Sequence, residues 1–113
     1  MTEIITTRRR SQRLFLRVPV VVQMSEPNRP PLLEETHTIV LNAHGTLLEM
    51  RAALDTGQTV TLKNLRTSEQ IDCTVKLVTP SDSGKFNIAL EFKNPNASFW
   101  QITFPPDDWG SSR

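Results

Sequence analysis

The sequence has one cysteine and only two histidines, and each scarcity removes a class of function. A lone Cys73 forms no internal disulfide, and its place in an alternating strand pattern predicts a buried small hydrophobe in place of a reactive thiol. His37 and His44 have no cysteine, histidine or carboxylate around them at a recognisable ligand spacing, so no metal site is expected. There is no glycine-rich phosphate loop and no nucleophile elbow. Asp107 and Asp108 are adjacent in a proline-flanked tail, which suits solvated carboxylates better than an acid and base held across a cleft. The chain is therefore expected to be neither an enzyme nor a cofactor carrier. No run approaches the roughly 18 apolar residues of a membrane span, and no apolar segment follows the N-terminal charges as in a signal peptide. A cytoplasmic protein without membrane insertion is expected.

What is present reads as strands. A chain of 113 residues makes one domain with one core, burying roughly two-thirds of its unfolded surface. Eight prolines against four glycines favour strands joined by stiff turns. "LFLRVPVVVQ" (14–23) is apolar and β-branched, and Pro19 within it predicts an edge position or a bulge. After the turn-rich "SEPNRPP", "THTIVLN" and "TLLEM" are expected to fold back on each other across a tight corner at Gly45. "QTVTLKNL", "IDCTVKLV" and "FNIALEFK" come next. Ile71, Cys73, Val75 and Leu77 share one predicted inner face, as do Phe86, Ile88, Leu90 and Phe92. Six strands at this spacing predict a small all-β antiparallel barrel or sandwich. In the tail, Phe99, Trp100, Ile102 and Phe104 stand at helical offsets, with Asn96 or Ser98 as cap and Pro105-Pro106 as stop, so a short C-terminal helix is expected.

Charge is distributed unevenly. "RRRSQR" places Arg8, Arg9, Arg10 and Arg13 within six residues, although the formal net charge is only +1. Residues 1–17 carry five arginines against Glu3, a local +4, and the other eight basic and eleven acidic groups leave the rest at −3. Such an arm is commonly a solvated tail. That every basic residue in it is arginine favours phosphate or nucleotide, because guanidinium offers a planar fork for phosphate oxygens and a flat face for bases. Residues 1–13 are expected to form a flexible basic arm, and 14–109 the barrel with its helical segment.

Together the two segments carry a resemblance. "RRSQR" resembles the RxxxR arm of the PilZ domain family, with Arg9 and Arg13 at the required separation and Arg8 or Arg10 as an auxiliary. "VLNAHGTLL" (40–48) is similar to that family's second motif, (D/N)xSxxG followed by an apolar strand. With Gly45 as the motif glycine, Asn42 takes the serine position and Val40 the Asp/Asn position. The resemblance implies a six-stranded antiparallel barrel with a following helix, and a receptor for the bacterial second messenger cyclic di-GMP. It also implies that the arm arginines bind phosphate and guanine while the hairpin holds the other side of the ligand. Valine makes no polar contact at position 40, whereas the Asn42 amide can donate and accept in place of the serine hydroxyl.

Two functions from different classes are consistent with these residues. One is a single-domain cyclic di-GMP receptor whose arm closes over the nucleotide, with Arg8, Arg9, Arg10, Arg13, Asn42 and Gly45 as the ligand-binding residues. The other is a ligand-independent adaptor that docks on another bacterial protein, which exposure of Phe99, Trp100 or Trp109 would favour. General nucleic-acid binding is the weaker third reading, because few aromatic residues are available to stack on bases.

Overall fold

The alternating segments fold into six antiparallel strands: β1 (Pro19–Met24), β2 (Leu32–Asn42), β3 (Gly45–Met50), β4 (Thr59–Asn64), β5 (Gln70–Pro80) and β6 (Phe86–Phe92). They close into a barrel in the order β1-β2-β3-β6-β5-β4, with β4 pairing back onto β1. This computed structural model describes residues 14–25, 30–94, 96 and 98–101. Among these residues there is no helix, and so none long and apolar enough to cross a membrane.

Inward-facing side chains fill the barrel, with Val20, Val22, Leu41, Leu48, Met50, Leu62, Val75 and Ile88 all fully buried. Each such aliphatic side chain stabilises the fold by about 1.5–3 kcal/mol relative to exposure. Phe92, Phe99 and Trp100 close one end. Their rings meet edge to face, Phe92 on Phe99 at 5.4 Å and Phe99 on Trp100 at 4.9 Å, a geometry that sets ring edges against ring faces. Asn64 holds this plug in place. Fully buried at the end of β4, it donates from Nδ2 to the Phe99 carbonyl at 3.2 Å and accepts the Arg66 amide at 2.9 Å. Asn64→Ala leaves both groups unpartnered, and a loss of about 1–3 kcal/mol is expected in urea unfolding.

Several sequence expectations need correction. Pro19 lies on no free edge, because the barrel closes. It is the first residue of β1, a position that tolerates its missing N–H. Leu77 does not share the inner face of Val75. The β5–β6 register shifts by one residue between them, and Leu77 is 55% exposed. Strand β2 starts earlier than Thr36 because Glu34 faces inward, its carboxylate accepting the Arg51 and Ala52 amides at 2.6 and 3.1 Å. Of the expected C-terminal helix, residues 98–101 form a turn, in which Asn96 Oδ1 accepts the Ser98 amide at 3.1 Å. Its remainder lies outside the described residues.

Candidate functional site

The candidate site is built on a register change in β2. Thr38 pairs with Leu48 but Val40 pairs with Leu47, so Ile39 is an extra residue, a β-bulge. Without it, strict alternation from buried Thr38 would turn Val40 and Asn42 into the core. With it, Leu41 is buried, and Val40 and Asn42 stand on the outer face.

The β2–β3 connection is a two-residue loop, Ala43-His44, flanked by the pair Asn42 and Gly45. The corner is thus the loop itself, and Gly45 is the first residue of β3. Its φ lies outside the left-handed region, so the glycine is required for another reason. A Cβ there would sit 2.1 Å from the Leu90 carbonyl oxygen on β6, which only a residue without a side chain avoids. Three hydrogen bonds fix the loop. Asn42 Oδ1 accepts the His44 amide at 2.7 Å, the His44 carbonyl accepts the Phe92 amide at 2.8 Å, and Trp100 Nε1 donates to the Asn42 carbonyl at 3.1 Å. The Asn42 acceptor is therefore spent on its own turn. Among the described residues its Nδ2 donates to nothing, and the residue lines the groove between β2, β3 and β6.

The segment before β1 is attached to the same corner. Leu14 and Leu41 exchange both backbone hydrogen bonds, each 2.8 Å. Buried Thr38 clamps the stretch from Leu16 to Val18, its hydroxyl accepting the Val18 amide at 2.9 Å and donating to the Leu16 carbonyl at 2.6 Å. These bonds fix the path of the chain up to Leu14, one residue beyond Arg13. Arg8, Arg9, Arg10 and Arg13 themselves lie outside the described residues.

Between β2, β3 and β6 runs a groove of about 330 Å³, lined by Val40, Asn42, His44, Gly45, Thr46, Leu47, Ala89, Leu90 and Glu91. Two of the sequence-derived candidates, Asn42 and Gly45, meet there, as does Val40. The β6 residues were not foreseen; the small outward-facing Ala89 between buried Ile88 and Leu90 was their one sequence signal. The Thr46 hydroxyl donates to the Val40 carbonyl at 2.7 Å, steadying the strand beside the bulge. Glu91 at the rim is 3.5 Å from Lys76. A second groove, between the ends of β1, β4 and β5, is lined by Gln23, Thr61 and Asp72 among others; neither groove carries a lysine or arginine in its lining, and what distinguishes the first is the Leu14–Leu41 pair beside it.

The described residues hold no group of three histidine, cysteine or acidic side chains placed for a metal. Cys73 is buried, and desolvation, aided by neighbouring Asp72, pushes its thiol up to about 12, so little thiolate exists at neutral pH. Away from the groove, hydrogen bonds from Ser81 and Ser83, with Lys85 nearby, hold the Glu49 carboxyl below its usual range.

No family model matches the sequence, and neither does any curated protein. Solved structures do resemble the fold. The Bacillus subtilis inhibitor of motility MotI/DgrA superposes with a TM-score of 0.63 at 19% identity, over 83% of this chain and 46% of that one. The Klebsiella pneumoniae MrkH–c-di-GMP complex gives 0.57 at 21% identity, over 76% and 44%. Escherichia coli YcgR in complex with c-di-GMP gives 0.58 at 16% identity, over 77% and 38%. The barrel is thus PilZ-like, and the chain spans less than half the length of each of these proteins.

Proposed function

We propose that this chain is a PilZ-family receptor for cyclic di-GMP, with the nucleotide held between the arginine arm and the outer face of the β2–β3 corner. The observation that carries this reading is the Leu14–Leu41 backbone pair. It delivers the arm to the residue next to Asn42. Consecutive Cα atoms are about 3.8 Å apart, so Arg13 leaves from this point and Arg9 stays within roughly 18 Å of Leu14. Guanidinium groups from the arm supply the positive charge that the groove lining lacks, and they pair with phosphate oxygens in bidentate fashion. Asn42 Nδ2 adds a donor from the barrel side, and Val40, Leu47 and Ala89 give an apolar floor. That two of the structural relatives were solved with c-di-GMP supports the choice of ligand.

The adaptor reading loses two of its anchors, because Phe99 and Trp100 are 0% and 3% exposed. Trp109 lies outside the described residues.

Calorimetric titration with cyclic di-GMP tests the receptor, and Val40 is its most informative position. The side chain lines the groove where the second motif carries a polar residue, and an added hydrogen bond to a charged ligand is worth about 1.5–3 kcal/mol. Val40→Asn is expected to tighten binding about 10- to 150-fold. An unchanged dissociation constant would show that the ligand does not touch this face.

A further inference from the structure

The lining of the groove holds one carboxylate, Glu91. By register Asn42 pairs with Gly45 and Gly45 with Glu91, so an amide and a carboxylate stand on either side of a residue without a side chain. Two interstrand spacings, about 10 Å, separate their backbones. In the neighbouring row Val40 pairs with Leu47 and Leu47 with Ala89, and these three apolar residues are half-buried. A notch with a polar group at each end and an apolar row beside it suits a flat heterocycle that carries hydrogen-bonding groups on two edges.

A carboxylate is out of place in a site for phosphates alone, because it repels them. Lys76 Nζ, 3.5 Å from Glu91 Oε1, offsets only part of that charge, since both side chains are more than half exposed and such pairs are weak in water. The same weakness lets Lys76 yield the carboxylate to a ligand. Glu91 therefore fits a part of the nucleotide that donates hydrogen bonds, and the bases are that part. The Asn42 oxygen is spent on the His44 amide, so Asn42 offers a ligand its Nδ2 donor, whereas an ionised carboxylate only accepts. Guanine matches this polarity. Its N1–H and N2 amino group donate from one edge, and its O6 and N7 accept on another. Adenine does not, because its ring N1 would set a lone pair against the carboxylate.

We infer that Glu91 is the guanine-reading residue of this groove. Its two oxygens accept from N1–H and the N2 amino group of one base, and Asn42 Nδ2 donates to an acceptor of the same base. Glu91 thus supplies from β6 the polar contact that Val40 cannot make from β2. The repulsion between carboxylate and phosphate also fixes the direction of the ligand, with a base toward β6 and the phosphates away from it. This assignment rests on the nucleotide-binding reading and adds to it the source of base specificity.

Calorimetry on the full chain, wild type against Glu91→Gln, tests the assignment with two ligands: cyclic di-GMP and its inosine analogue cyclic di-IMP, which lacks the N2 amino group. The substitution keeps the size of an exposed side chain and removes its charge, so the unfolding midpoint is expected to stay the same. Glu91→Gln is expected to weaken cyclic di-GMP binding about 10- to 150-fold, as loss of a hydrogen bond to a charged group does. The wild type is expected to prefer cyclic di-GMP to cyclic di-IMP, and the variant to lose most of that preference, which isolates the contact to the amino group. The sign of the effect is decisive, because a carboxylate that only repelled phosphate would, once neutralised, let both nucleotides bind more tightly. Unchanged or tighter cyclic di-GMP binding by the variant would overturn the role of Glu91 and leave the receptor reading standing. An equal loss for the two nucleotides would likewise overturn it. A wild type that binds no cyclic di-GMP would overturn the receptor reading, and the assignment with it.

Discussion

Gly45→Ala is expected to lower the thermal unfolding midpoint by about 12–24 °C. The added methyl would stand 2.1 Å from the Leu90 carbonyl oxygen, and that atom belongs to the β6 backbone, so no rotamer change relieves the clash. The β3–β6 ladder, which pairs six residues from Gly45 to Met50, must separate at this end. Overpacking of this kind costs about 1–3 kcal/mol where side chains can yield. Against an immovable carbonyl, about 3 kcal/mol is the reasonable expectation. In a domain of this size each kcal/mol moves the midpoint by about 4–8 °C. Thermal denaturation followed by circular dichroism, without ligand, measures the effect. A midpoint within a few degrees of wild type would mean that β3 and β6 are not so closely apposed.

The second large effect concerns binding and leaves stability alone. Arg9→Ala/Arg13→Ala is expected to weaken cyclic di-GMP binding by about 10²- to 10⁴-fold, because each charge-assisted hydrogen bond to the nucleotide is worth about 1.5–3 kcal/mol. Both positions precede, in sequence, every strand and core residue among the described residues, and the unfolding midpoint is expected to stay where it is. Added salt is expected to weaken the wild type more than the double variant, since the variant no longer carries the charges that salt screens. Equal affinity of the two proteins in calorimetry would remove the arm from the site.

Much of the barrel was legible because its inner faces follow strict alternation. Phe86, Ile88, Leu90 and Phe92 point where period two puts them, and burial is complete or nearly so for the last three. The failures share one cause. A bulge is decided by pairing with a neighbouring strand, and local sequence around Ile39 or Lys76 carries no mark of it, so Leu77 was assigned to the core that the extra residue turns it away from. Glu34 hid the start of β2 for a related reason: an inward carboxylate makes sense only beside the Arg51 and Ala52 amides it accepts.

The candidate site was legible in part. Asn42 and Gly45 were found through motif spacing, although the glycine serves a close strand approach and not a left-handed turn. The attachment of the arm was invisible, because the Leu14–Leu41 pair is made by backbone groups that every sequence possesses. Ala89 and Glu91 come to the site through the β3–β6 pairing, opposite Leu47 and Gly45, partners more than 40 positions away in the chain.

Amide chemical shifts recorded during a cyclic di-GMP titration test the central claim most directly, because each face of the barrel reports separately. The account predicts that Asn42, His44, Gly45, Leu47 and Glu91 move together and saturate, while Gln23, Thr61 and Asp72 on the other groove stay still. Movement confined to the second set, or no movement at high-micromolar nucleotide, would contradict it.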